Sequence, residues 1–214
     1  GFSNIHRCPA TLAQDGFPDG VDFDSNDRFC LDGQRLVVTS GSYGANLSEY
    51  RTEIDSFNKV VAYGNPLNGS GYFKVWTPTG EIMEFGNSAN SPILAQGKSR
   101  AYIWALNKVT DASGNVMTFT YDQSEPDSEY WPMRIDYAWS GGSSHASVEF
   151  EYTGRNDIRT TYMAGSKVRQ TKLLTEIHTF VDNSPATQYV LSYDESPIDG
   201  RKRMVNVIPC SLVD

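Results

Sequence analysis

The sequence predicts an all-β protein of serial antiparallel β-hairpins forming one curved, strongly twisted sheet. Three observations lead there. Apolar and polar residues alternate with a period of two in several short runs, and turn residues separate those runs. Long helix-forming stretches of Ala, Leu, Glu and Lys are missing. Aromatic and turn-forming residues are both plentiful, with 12 Tyr, 10 Phe, 4 Trp and 18 Gly among 214 residues. An apolar share of 39% is enough to bury a core and rules out wholesale disorder.

Residues 1–34 read as a divergent, turn-rich lead-in and residues 35–214 as hairpin repeats, together one β-rich segment. In the lead-in, the stretch 13–20 is rich in Asp, Gly and Pro, and residues 22–27 add Asp22, Asp24 and Asp27 beside Ser25 and Asn26. Oxygen ligands so closely spaced can hold calcium, but the Gly and Glu of an EF-hand register are missing, so a solvated acidic loop is the better reading. Residues 48–58 fit a strand with Tyr50, Thr52, Ile54 and Ser56 on one face and Glu49, Arg51, Glu53 and Asp55 on the other.

Four hairpins follow in series. Residues 71–77 pair with a run ending in Met83 and Phe85. Residues 103–109 pair with Met117, Phe119 and Tyr121, which alternate with Thr118 and Thr120. Residues 133–139 pair with Val148, Phe150 and Tyr152, which alternate with Glu149 and Glu151. Residues 173–181 pair with Tyr189, Leu191 and Tyr193. Turn residues lie between partners at 78–80, 111–115, 140–143 and 182–185. Each second strand closes on an aromatic followed by a small or acidic residue: Phe85-Gly86, Tyr121-Asp122, Tyr152-Thr153 and Tyr193-Asp194. These aromatics stand 36, 31 and 41 residues apart. A degenerate repeat of that period predicts stacked units, and an extended sheet more readily than a closed globule.

Composition and motif searches exclude several functions. The formal charge is −8 with no Lys/Arg block, which argues against a nucleic-acid surface. No run approaches the ~20 apolar residues of a membrane-spanning helix. Gly1-Phe2-Ser3-Asn4 has neither the basic start nor the apolar stretch of a secretory leader, which reads as a segment cut from a longer chain. Nucleophile elbow, Walker loop, HExxH and dinucleotide fingerprints are missing, and Gly69-Ser70-Gly71 reads as a turn. No cofactor or metal is expected. Glu149 with Glu151, or Asp194 with Glu195, would mimic a glycosidase pair, since neighbours two apart on a strand lie roughly 7 Å from each other. Alternating Glu opposite an apolar face is nevertheless what a half-solvated sheet looks like. Trp76, Trp104, Trp131 and Trp139 read as core or seam residues before they read as a carbohydrate surface. His6, His145 and His178 belong to no catalytic motif and read as surface or satisfied groups. Asn46 and Asn68 open Asn-x-Ser sequons, which matter only in a eukaryotic secretory setting. Cys8, Cys30 and Cys210 have no CxxC spacing. Three small, partly buried thiols are favoured, with a Cys8–Cys30 disulfide as the alternative in an oxidising compartment.

At the repeats the chain resembles a known family. Residues 107–115 (Asn-Lys-Val-Thr-Asp-Ala-Ser-Gly-Asn) followed by Thr118-Phe119-Thr120-Tyr121-Asp122 look like a YD repeat of the Rhs family. Residues 5–9 and 13–16, Asp27-Arg28-Phe29-Cys30-Leu31-Asp32-Gly33, residues 50–55, residues 75–77 and Gly80-Glu81-Ile82-Met83-Glu84-Phe85-Gly86 resemble more specifically the N-terminal region of SpvB-like proteins. They also resemble B components of insecticidal toxin complexes. The resemblance continues through residues 200–204 and 208–210. It implies a wall segment of a hollow β-shell that sequesters a toxic C-terminal polypeptide, in a secreted or cell-surface setting and without catalytic residues. The implied partners are the rest of the parent shell and its enclosed segment. Phe85, Tyr121, Asp122, Tyr152, Tyr193 and Asp194 are implied to be structural, as packing and turn residues. Phe85-Gly86 and Tyr152-Thr153 break the dipeptide, as suits a divergent end of such a shell. A surface adhesin module binding glycan or protein through exposed aromatics is the competing reading, and a glycosidase the third. A sheet cut from a shell would also expose edges prone to edge-to-edge self-association.

Overall fold

The structure, a computed structural model, describes residues 2–211. Its strands all pair antiparallel within one continuous sheet. The chain opens with β1 (Asn4–Cys8), a single helical turn α1 (Leu12–Asp15) and β2 (Arg28–Leu31). Next come β3 (Gln34–Ser40), β4 (Glu49–Thr52), β5 (Lys59–Asn65), β6 (Ser70–Trp76) and β7 (Ile82–Phe85). A short β8 (Pro92–Leu94) precedes the ten-residue β9 (Ala101–Thr110). Each of β1 to β6 pairs with the next, β7 pairs with β9, and β1 returns to β9. Eight strands thereby close into a barrel, with β8 added beside β9.

The closure corrects the expectation of one open, curved sheet. The pair that makes it, β1 with β9, joins Asn4 to Ala105, Ile5 to Trp104 and His6 to Ile103. Contacts so distant in sequence leave no periodic trace in either strand. The lead-in is thus part of the barrel wall. The strand expected over 48–58 stops at Thr52, whose hydroxyl accepts from the Ser56 amide and turns the chain.

What fills the barrel is mostly aromatic. Phe29, Phe73 and Trp104 meet edge to face with centroids 4.9 to 5.4 Å apart, a geometry that aromatic quadrupoles favour. Ile5, Leu36, Tyr50, Val60 and Phe85 are fully buried around them. Across the core runs a buried ion pair. Arg7 donates to the Asp27 carboxylate at 2.7 Å, to the Ala101 carbonyl at 2.8 Å, and to the carbonyls of Pro66 and Leu67 at 3.2 and 2.8 Å. The rings of Phe23 and Trp104 lie 5.2 and 5.7 Å from the guanidinium. Asp27 in turn accepts from the amides of Asp22 and Phe23. Asp27 is therefore not part of a solvated acidic loop: its side chain is 0% exposed and joins the lead-in to β1.

Cys8 and Cys30 are joined as a disulfide with Cα atoms 5.9 Å apart, linking β1 to β2, whereas Cys210 is free. This corrects the preference for three thiols. The β1–β2 register sets Cys8 opposite Arg28 and Cys30 opposite His6, two pairs apart with Arg7 and Phe29 between, and no run of residues announces that register.

Beyond the barrel the chain meanders: β10 (Val116–Ser124), β11 (Glu129–Ser140), β12 (Ser143–Met163), β13 (Ser166–Val181), β14 (Ser184–Glu195) and β15 (Lys202–Ser211). All four expected hairpins form, as β6–β7, β9–β10, β11–β12 and β13–β14. The long β12–β13 hairpin leans back on the barrel, where Ser166 bonds the Gln96 carbonyl at 3.1 Å and Arg169 meets Asp127 at 3.2 Å. Its ladder breaks between Gly154 and Arg159. There Glu129 accepts from the Thr171 amide at 2.9 Å and hydroxyl at 2.6 Å, and from the Lys172 amide at 3.2 Å. The last strand of the meander, β15, is its most exposed.

Removing one member of the buried pair leaves the charge of the other uncompensated, so Asp27→Asn is expected to cost about 3–5 kcal/mol, and Arg7→Met with Asp27→Leu together less than Asp27→Asn alone. Urea unfolding of the three proteins checks the order.

Candidate functional site

The four repeat aromatics occupy one recurring geometry. Each is preceded by a break in register against the following strand, where that strand carries one extra residue. Glu84 and Phe85 pair with Lys108 and Leu106, skipping Asn107. Thr120 and Tyr121 pair with Arg134 and Pro132, skipping Met133. Glu151 and Tyr152 pair with Glu176 and Leu174, skipping Thr175. Ser192 and Tyr193 pair with Asn206 and Met204, skipping Val205. Each is a β-bulge, which bends the strand and adds right-handed twist.

The tyrosines then hold what the bulges disturb. The ladder between β9 and β10 ends at Lys108 with Thr118, that between β11 and β12 at Arg134 with Glu149, and that between β13 and β14 at Glu176 with Val190. Three residues past each end stands the tyrosine, and two residues back along the partner strand stands a carbonyl. Tyr121 donates to Leu106 at 2.6 Å, Tyr152 to Pro132 at 2.9 Å and Tyr193 to Leu174 at 2.7 Å. Where the ladder ends, a phenol supplies a donor to the carbonyl, buried at Leu106 and part-buried at Pro132 and Leu174, and an acceptor left unpaired away from water is costly. Phe85 needs no hydroxyl, since the β6–β7 ladder continues unbroken through Phe73 and Phe85. Burial pushes the Tyr121 hydroxyl far above the ordinary tyrosine range, with Tyr130 adding to the shift. Burial likewise pushes Tyr152 up to about 12. Both stay protonated donors.

The acidic partners behave differently. Asp122 and Asp194 are exposed and lie within β10 and β14, not in turns. Among the described residues Asp122 accepts from the Gln123 amide, at 2.9 Å, and Asp194 stands opposite Arg203. The bulge carbonyls are what the residue pattern did not disclose. Pro132 was the one available signal, because proline inside a strand marks an edge or a bulge.

Other groups singled out in the sequence have ordinary partners. Glu149 contacts Arg134 and the carboxylate of Glu151 lies 3.5 Å from His178. His178 meets Glu176 at 3.0 Å, so these three side chains converge on the β12–β13 surface. His145 bonds Asp182 at 2.5 Å. His6 bonds the Asn4 side chain at 3.0 Å, and burial lowers its pKa against the pull of Asp32. Trp104 and Trp131 are buried, Trp76 is half-buried, and Trp139 is exposed. In the β12 break, Asp157 accepts from Arg155 at 2.7 and 2.8 Å and from the Lys202 amide of β15 at 2.7 Å. The Arg155 guanidinium and that amide hold the Asp157 carboxyl well below 3.8.

A closed barrel whose last strand feeds a bulged, tyrosine-locked meander defines an all-β class. Comparison with known proteins narrows it. Residues 32–134, just under half of the chain, match the family model described as Salmonella virulence plasmid 65kDa B protein, so the resemblance to SpvB-like proteins holds. No curated protein matches the chain in sequence. The solved N-terminal domain of effector protein SpvB from Salmonella typhimurium strain LT2 superposes with a TM-score of 0.77 at 14% identity, covering 100% of this chain and 88% of that one. The TcdB2-TccC3-Cdc42 crystal structure superposes with a TM-score of 0.77 at 15% identity, covering 98% of this chain. The Photorhabdus luminescens Tc holotoxin pore with the TccC3-D651A mutation gives 0.76 at 17% identity and 97% coverage. This chain spans only 13% of the length of each of those two Tc chains.

Removing each lock hydroxyl by Tyr→Phe is expected to cost about 1–3 kcal/mol at buried Tyr121 and progressively less at Tyr152 and Tyr193. Phe85→Tyr, which buries a hydroxyl where the ladder is already complete, is expected to destabilise as well. Chemical denaturation of the four variants tests the ranking. The Asp157 contribution, present in full above the ordinary carboxylate range, is expected to fade as pH falls below 3.8. Urea midpoints measured against pH are expected to show that fall in the parent protein and a flatter acid limb in Asp157→Asn.

Proposed function

We propose that the chain is a non-catalytic structural segment of a toxin-complex-like protein, a piece of the wall that encloses a toxic polypeptide. The observation that carries this reading is where the repeated chemistry goes. Each repeat tyrosine is consumed in joining one strand to the next, so the recurring feature of the sequence serves the sheet itself. The fold shared with SpvB and with TcdB2-TccC3 supports the same reading. The barrel supplies one end, and the meander extends from it to β15, whose outer edge pairs with no strand among the described residues. The setting proposed is secreted or cell-surface, with the remainder of the parent shell and its enclosed segment as partners. Where the edge lacks its covering strand, copies pair edge to edge at high concentration.

The adhesin alternative requires at least two tryptophans gathered on an exposed face. Trp139, at 42% exposed, is the one large exposed indole among the described residues, which favours the wall.

The natural full-length chain provides the test. Limited proteolysis is expected to spare its C-terminal segment while the wall is intact and to digest it when Asp27→Asn loosens the barrel. Equal digestion in both proteins would overturn enclosure, and saturable glycan binding lost on Trp139→Ala would favour the adhesin.

A further inference from the structure

The outer edge of β15 repeats, in unfinished form, the arrangement that three earlier strands complete. Asn107 of β9, Met133 of β11 and Thr175 of β13 are extra residues at bulges. In each case the same strand, on its other edge, takes a second strand. That ladder ends one residue after the bulge, at Lys108, Arg134 or Glu176, and the carbonyl one residue before it, Leu106, Pro132 or Leu174, receives a tyrosine hydroxyl. On β15 the extra residue is Val205, between Met204 and Asn206. The inner edge is paired with β14, and the outer edge pairs with no strand among the described residues. Met204, Val205, Val207 and Ile208 are between 44 and 54% exposed, an apolar surface unusual for a strand meant to end a sheet.

We infer that the outer edge of β15 is a docking site for one further antiparallel strand, whose ladder ends opposite Asn206 and whose tyrosine, three residues on, donates its hydroxyl to the Met204 carbonyl. This rests on the wall reading and specifies its partner: a strand of alternating apolar and polar residues closing in tyrosine. Main-chain pairing supplies affinity, and the tyrosine selects the register, as in other strand additions. A slip of one residue would turn the apolar side chains to the opposite face and move the phenol off its acceptor.

The probe is a synthetic peptide with the sequence of residues 116–124, which contains the Tyr121 lock, alongside the same peptide with phenylalanine at that position. Both are titrated into the whole chain, with hydrogen exchange reporting the β15 amides. The tyrosine peptide is expected to protect amides of β15 and to bind about three- to tenfold more tightly than the phenylalanine peptide. Deleting Val205 is expected to abolish that difference, since it removes the bulge that presents the carbonyl. As a second arm, the chain is extended after Asp214 by a copy of residues 182–195. The extension is expected to slow exchange in β15 more with tyrosine at the lock than with phenylalanine. Equal effects of tyrosine and phenylalanine in both arms, or protection confined to other strands, would overturn the proposal. So would a dimer through β15 that the peptide fails to displace. None of these outcomes touches the protease test of enclosure, so the two readings fail separately.

Discussion

A strand has two edges, and β9 must serve four neighbours with them. Its far half, from Lys108 to Thr110, pairs with β7 on one side and β10 on the other. Its near half pairs with β8 and β1. No residue can give the same backbone groups to two partners, so the edge divides. At the division Leu106 donates its amide to Ser3 and receives the Tyr121 hydroxyl on its carbonyl. Barrel and meander exist together because this one strand is shared in that way, and the first tyrosine lock is the price of the sharing. The later locks reuse the solution wherever two strands part.

The closed end is correspondingly overbuilt. A disulfide, a buried Arg7–Asp27 pair and an aromatic core all act on β1 and its neighbours, although β1 meets β9 through only three residue pairs. Short ladders are weak, and the covalent and ionic links offset that weakness. Arg7 acts as a hub: its guanidinium reaches backbone carbonyls at Ala101, Pro66 and Leu67, tying β1 to β9 and to the turn before β6. Further along the meander the links are ion pairs and side-chain bonds between hairpins, such as Arg169 with Asp127 and the Lys202 amide with Asp157.

How much of this was legible in the residues depended on range. Hairpins form between neighbours in sequence, so alternation around Phe119, Tyr152 and Tyr193, with Gly- and Asp-rich turns between, was enough to place all four. The spacing of the aromatics likewise marked the repeat. Barrel closure was hidden because Ile5 and Trp104 are far apart in the chain and each looks like any other apolar residue. The Cys8–Cys30 link was hidden for the same reason: it follows from a register that appears only once β1 lies against β2. Asp27 looked like a solvated carboxylate because its neighbours are acidic, whereas its partner Arg7 lies twenty residues away. The locks were half visible. Their tyrosines stood out, but their acceptors are main-chain carbonyls and carry no residue signature.

The bulges have a consequence for curvature. Each turns its strand by an added increment of right-handed twist, and they recur once per repeat at the aromatic position. The number of residues between successive aromatics therefore works as a ruler. Shorter intervals concentrate the added twist within a few strands and longer ones spread it out, so the curvature of the sheet is written into the spacing of its aromatics.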